Sequence, residues 1–451
     1  MRLTTFLARG ALAGLLACSF IAPASAALPI QKWQQASGAQ VWLIESPSLP
    51  MVDVEIDFDA GDRRDPADKA GLAGVTAEMT SKGIAARNGE PALDENQLGE
   101  AWADLGASFG GGASMDRMSF SLRSLTYPDL LDKAVKLAAR ELGEPSFPEP
   151  IWLRERQRLV AAIREANTRP GTVAARAFGA AVYGSHPYGY DTNEESLGRI
   201  SVPDMRNFYA AILPCRAKVS IVGAVTRAQA DGIAATLLSR LPGGRCEPLP
   251  PLPEVPALTA AAERDIPFTS AQAHVLIGQP GYKRSDPDYF PLLVGNYILG
   301  GGGFVSRLSE EVRQKRGLSY SVYSYFAPGL HAGAFTLGLQ TRPDQAAQAV
   351  QVSRDVLRRF VAEGPTEAEL KAAKDFMIGG FALRIDSNRK LVDNLANIAW
   401  YELPLDYLDT WTRQVEKVTA ADVKAAFARK LQPDRMVTVV VGGADVASAR
   451  Q

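Results

Sequence analysis

Imidazole is scarce in this chain. Its 451 residues hold three histidines, His186, His274 and His331, and no two stand three or four apart, the spacing that puts both rings on one helix face. A catalytic zinc takes three protein ligands and keeps one position open, so a histidine-built zinc site is not expected. His186 lies in S-H-P-Y-G at 185–189, a turn-like stretch; His274 opens a strand-like run, and His331 follows the turn at Pro328 and Gly329. All three read as structural. Serine chemistry is no better supplied, because the chain has no G-x-S-x-G elbow. The four glycines at 300–303 lack the lysine and spacing of a phosphate-binding loop and read as a flexible lead-in to a helix. Those at 110–112 read as a close backbone approach ahead of a strand.

The elements that would position any such group are mixed. Val52, Val54, Ile56 and Phe58 alternate with Asp53, Glu55 and Asp57, which predicts a strand over 52–58. Shorter runs predict strands at 41–44, 118–122, 217–222, 273–278, 318–326 and 334–339. Helical spacing predicts helices over 71–82, 95–105, 130–142, 151–167, 290–299 and 304–315, the last with Phe304, Leu308 and Val312 four apart. Long helices follow residue 343. Strands grouped ahead of helices predict an α+β fold, a mixed or antiparallel sheet with helices on one side.

The chain divides near its middle. The segment L-P-G-G-R-C-E-P-L-P-P-L-P-E-V-P at 241–256 is too rich in proline for a helix or a central strand, and predicts a stiff connector over 242–262. It separates 27–241 from 263–451, and those parts share a pattern. I-S-V-P-D-M at 200–205 leads to K-V-S-I-V-G, and V-T-A-A-D-V, 218 residues further on, leads to V-T-V-V-V-G. In each, Ser or Thr caps a helix with an Asp in its first turn. One repeat of this length predicts two duplicated domains. Cys215 precedes a strand and Cys246 follows a helix returning antiparallel to it. In an oxidising compartment they pair as a structural disulfide, the reading preferred over two separate buried thiols.

G-L-A-G-V-T-A-E-M at 71–79 resembles the metal-binding helix of the pitrilysin and insulinase-like metallopeptidases, inverzincins that include mitochondrial processing peptidase. Active members carry G-L-A-H-x-x-E-H-M there, two zinc-binding histidines with a glutamate as general base. On that correspondence Gly74 and Glu78 stand for the histidines and Ala77 for the base. The third ligand, a glutamate in a V-V-x-E-E-I-like stretch, gives way to L-V-A-A-I at 159–163. The resemblance therefore implies no metal in this chain. A second stretch, within 300–323, matches S-R-L-x-x-x-x-R-x-x-x-G-L-x-Y. In that family its arginine and tyrosine reach the substrate backbone near the zinc, and they correspond here to Arg313 and Tyr320. Guanidinium and phenol donors suit a carbonyl on which negative charge develops. Spacing alone reads these two as structural: Arg313 favours the dipole of a last helical turn, and Tyr320 shares a strand face with Leu318, Val322 and Phe326. H-P-Y-G at 186–189 also resembles a recurring family segment of no catalytic role.

The resemblance implies half of a clam-shaped chamber, two domains of a zinc-free subunit in a heterodimeric, peptide-cleaving metallopeptidase. A homologous partner would carry the intact motif and the zinc, and the chain alone would cleave nothing. The alternative is a peptide-binding or structural scaffold of the same fold. A third reading, another metal set built on Glu78 and neighbouring carboxylates, starts from one surviving carboxylate.

Composition narrows the setting. The chain is 46% hydrophobic and 22% charged, with 49 basic and 50 acidic residues, so no cationic surplus draws in nucleic acid. Arg2 and Arg9, an apolar stretch at 11–22 and Ala24-Ser25-Ala26 predict a signal peptide over 1–26 and export to a bacterial periplasm. Lipid attachment at Cys18 is the alternative. No later apolar run reaches about 18 residues, so no membrane span is expected.

Overall fold

The computed structural model describes residues 29–443, so the leader and Cys18 lie outside the described residues. In the first half the strands are β1 (Gln31–Gln34), β2 (Gln40–Glu45), β3 (Met51–Phe58), β4 (Gly83–Ile84), β5 (Leu93–Asp94), β6 (Ser108–Ala113), β7 (Met118–Leu125) and β8 (Lys218–Gly223). Six of them form one sheet in the order β1-β2-β8-β3-β7-β6, while β4 and β5 make a separate ribbon. The helices of this half are α1 (Leu72–Thr80), α2 (Glu95–Asp104), α3 (Pro128–Gly143), α4 (Glu149–Ala166), α5 (Pro170–Tyr183), α6 (Glu194–Arg199), α7 (Val202–Tyr209) and α8 (Arg227–Leu238).

The second half repeats the plan. Its strands β9 (Ala262–Ile266), β10 (Ala273–Tyr282), β11 (Ser321–Phe326), β12 (Gly333–Thr341) and β13 (Val437–Val441) pair as β11-β12-β10-β13-β9. Its helices are α9 (Tyr289–Asn296), α10 (Ala346–Glu363), α11 (Glu367–Gly379), α12 (Asn388–Trp400), α13 (Tyr407–Lys417) and α14 (Ala420–Lys430). Each sheet is antiparallel except for one pair, β2 with β8 and β13 with β9. The matched helix starts carry matched caps: Ser201 with Asp204, and Thr419 with Asp422, each close a reciprocal capping box. The fold is therefore α+β, built on two related units.

The alternation along β3 buries Val54, Ile56 and Phe58 in one core, where Phe120 of β7 meets Phe58 and Tyr209 edge-on. Gly111 on β6 is fixed by this packing, since a Cβ there would come within 2.5 Å of Phe120.

Helices do not all stay with their own half. α12 lies across β8 and β3, and its Leu391, Val392, Leu395 and Ile398 pack on Trp42, Ile44 and Val222. The ammonium of Lys218 donates to the carbonyls of Ala399 and Trp400 (3.1 and 3.2 Å), a cation at the C-terminus of α12. In exchange, α5 lies across β10 and β13, with Ala174, Phe178 and Val182 against Val437 and Val439. The boundary in sequence is thus not a boundary in packing. Residues 242–261 between the halves hold no helix or strand. Cys215 and Cys246 are joined at the start of this segment, their Cα atoms 6.3 Å apart.

Candidate functional site

α1 is held at its start by Asp65, whose carboxylate accepts from the amides of Gly71 and Ala73 at 2.7 and 2.8 Å. Seven of its residues are buried, Ala77 fully, so only Gly74 and Glu78 look outward, four apart. A Cβ on Gly74 would meet nothing within 4 Å. Glu78 reaches Arg158 of α4 at 3.7 Å, and Arg158 in turn bonds Glu155 at 2.7 Å. Among the described residues no group of three or more His, Cys, Asp or Glu is placed to hold a metal ion. Glycine, alanine and an arginine-paired carboxylate do not fit zinc, and the third reading, a metal set built on Glu78, finds no group of three ligands among the described residues.

The other candidate pair is brought together. The chain leaves α9 through a π-helical turn, Tyr297–Gly301, and a second π-helical segment, Ser309–Gln314, carries Arg313. Such turns are rare and cluster at functional sites. The regular helix expected over 304–315 is not formed. Phe304 sits in a short 3-10 turn, 64% exposed, while Leu308 and Val312 are fully buried. The glycine run is likewise a packed corner, because a Cβ on Gly300 would fall 2.5 Å from Ser324 of β11.

Tyr320 also departs from its expected place. The strand begins at Ser321, and Tyr320 is 78% exposed while Leu318 and Val322 are buried. The Arg313 guanidinium lies between two rings, 4.4 Å from the centroid of Phe304 and 4.5 Å from that of Tyr320. Stacking of this kind is worth about 0.5–1 kcal/mol per exposed ring and fixes a planar donor set in direction. The neighbouring cations are all spent: Arg307 on Glu369, and Lys315 and Arg316 on Glu311. Arg313 has no ion pair or side-chain hydrogen bond among the described residues. Sequence reasoning missed Phe304, which it placed on a core-facing helix stripe. The glycines before it were the available sign that no helix runs there.

Arg307 anchors this corner from behind. Its fork meets both oxygens of Glu369 at 2.7 Å, at the start of α11 where Thr366 caps. Burial opposes ionisation of Glu369, but the Arg307 fork and the Thr366 donors outweigh it and hold the carboxyl at about 2. A carboxyl lowered on folding stabilises the fold above its ordinary value of 4.5, and that support fades as pH falls toward 2. Glu369→Gln is therefore expected to lower the thermal midpoint at pH 7 and to leave a smaller drop between pH 5 and pH 3. Parallel wild-type and variant curves would contradict it.

The remaining residues fall into structural roles. His186 accepts from the Tyr188 amide at 3.1 Å and lies 2.9 Å from the Pro253 carbonyl; His331 lies 3.1 Å from Glu254. Both tie down the connector. No helix among the described residues is long and apolar enough to cross a membrane.

Comparison with known proteins supplies the family. Residues 199–377 match the peptidase M16 inactive domain. The crystal structure of a peptidase M16 inactive domain from Pseudomonas fluorescens superposes with a TM-score of 0.86 at 35% identity, over 92% of this chain and 98% of that one. An uncharacterized zinc protease of Streptomyces coelicolor is 34% identical over 38% of this chain and 37% of its own length. A Helicobacter pylori protein named a non-peptidase homolog is 25% identical over 91% of this chain and 93% of its own. The chain belongs to the peptidase M16 family. Within it, the likeness to inactive-domain members and to a non-peptidase homolog supports a non-catalytic M16-like protein.

Proposed function

We propose that this chain is the zinc-free subunit of a two-chain peptidase and supplies Arg313 and Tyr320 to the backbone of a bound peptide. The observation that carries this reading is the unpaired Arg313 guanidinium, held between Phe304 and Tyr320 at the surface while every neighbouring cation is paired. A partner with an intact H-x-x-E-H helix holds the zinc and the general base. This chain holds and polarises the substrate carbonyl from the opposite wall. The signal-peptide pattern read over 1–26 supports placing the pair in the periplasm.

The test is reconstitution. Alone, the chain is expected to bind no stoichiometric zinc and to cleave no peptide. Mixed with a homologous chain carrying H-x-x-E-H, it is expected to co-elute and restore cleavage that a chelator abolishes. Tight zinc in the isolated chain, or full activity of the partner without it, would refute the reading. The Helicobacter pylori relative, named a non-peptidase homolog, favours a second reading, a peptide-binding or structural scaffold without peptidase activity. Tight binding of a labelled peptide by the chain alone, with no activity from any mixture, selects that one.

A further inference from the structure

On the face of the first sheet where α12 packs over β8 and β3, the part nearer the edge strand β6 carries a hollow. Asp53, Glu55 and Asp57 alternate along β3 on this face, opposite Arg123, Ser121 and Ser119 of β7, and these in turn stand opposite Ser108, Gly110 and Gly112 of the edge strand β6. The outer two carboxylates are answered: Arg123 meets Asp53 at 2.7 Å and Arg117 meets Asp57 at 3.0 Å. The middle one is not. Glu55 Oε2 is buried with no hydrogen-bond partner, and it borders a hollow of about 520 Å³ floored by Gly110, Gly112, Ser119 and Ser121.

The glycines supply an independent observation. Gly111, facing the core, is required by Phe120, but a Cβ on Gly110 or Gly112 would meet nothing within 4 Å. Neither has the positive φ that favours glycine. The chain's own packing makes no demand for them, so the bare strand keeps open a space that this polypeptide does not fill.

We propose that this hollow receives one basic side chain, lysine or arginine, of a polypeptide lying along the sheet, with Glu55 as its counter-ion and the serine hydroxyls as further acceptors. The inference deepens the reading of the chain as a peptide holder and rests on it. It places a second contact in the half opposite Arg313. A single unpaired carboxylate beneath a flat, neutral floor selects a cation over an anion or an apolar group.

Charge around Glu55 sets its pH dependence. Burial comes first and Asp57 second in raising its carboxyl, while Arg389 of α12 and Arg117 lower it and Asp393 of α12 raises it, leaving it at about 8. β6 brings no titratable group to this face. Glu55 is thus largely protonated at neutral pH, and a bound cation must draw off that proton. The preference for a cation therefore grows as pH rises from 6 to 8.

The experiment uses the full chain and two end-blocked peptides, one with a central lysine and the other with norleucine there. The lysine peptide is expected to bind about tenfold tighter at pH 8, by the usual worth of a charged hydrogen bond, and less so at pH 6. Glu55→Gln, of nearly the same shape, should erase both the advantage and its pH dependence. Gly110→Val and Gly112→Val should weaken both peptides without moving the thermal midpoint. Equal affinities for the two peptides in wild type would overturn the subsite while leaving the peptide-holding reading intact. Binding of neither peptide would overturn both. An n-butylamine affinity matching the lysine peptide's would assign the hollow to free amines and overturn the polypeptide claim.

Discussion

Arg313→Ala is expected to slow peptide cleavage by the assembled pair about a hundredfold without changing its zinc content, the scale of losing one fixed donor to a developing oxyanion. The guanidinium is already in place before substrate arrives, between Phe304 and Tyr320, with no carboxylate of its own to neutralise it. A donor that needs no reorganisation gives its full worth in the transition state. Arg313→Lys is expected to recover little, because an ammonium neither stacks as a plane nor offers a fork. Tyr320→Phe separates the two roles of the tyrosine: the ring still supports Arg313 and only the hydroxyl is lost, so its loss should be the smaller. Both residues are surface-exposed or half-exposed, so thermal midpoints should stay within about a degree of wild type. An unchanged rate in Arg313→Ala, with the pair still assembled, would show that the stack only packs.

The sequence carried the deficits of this protein more plainly than its architecture. A helix lacking the family's metal-binding side chains is legible because the missing chemistry is a matter of residue type: Gly74 and Ala77 carry no side-chain lone pair wherever they lie. The capped starts of α7 and α14 were legible for a similar reason, since a capping box is local. Tyr320 was not. Extending the period of two backward from Val322 puts it in the core, but Gly317 turns the chain at φ 63° and Ser319 donates to the Gln340 carbonyl at 2.6 Å. That bond buries Ser319 beside the buried Leu318, breaks the alternation, and sends the next residue outward. Nor could the pattern on β3 reveal that Asp53 and Asp57 are buried, because α12, which closes that face beside Asp57, arrives from some 330 residues further along the chain. Amphipathic periodicity says that a helix has an apolar face and leaves open which sheet it covers.

That exchange of helices sets the second large effect. Leu395→Ala is expected to destabilise the chain by about 3 kcal/mol, the middle of the range for deleting a fully buried leucine side chain. Leu395 is 0% exposed and belongs by sequence to the second half, yet the surfaces it leaves bare are Trp42, Ile44 and Val222 of the first. Phe178→Ala on α5 is the reciprocal case, uncovering Val437 and Val439 of the second sheet from a helix of the first half. Because each sheet depends on a helix from across the connector, either substitution should lower the unfolding midpoint reported by both halves, with Trp102 following the first and Trp411 the second. Leu383→Ala, at a 69% exposed position, is the control and should move neither. If Leu395→Ala shifted the transition of one half and left the other unmoved, the halves would be folding as separate domains, and the interlock would have no energetic weight. A single shared shift would instead mean that cutting the chain in the connector strips two apolar sheet faces at once. The two walls that present Glu55 and Arg313 would then be held in one register by the same packing that folds them.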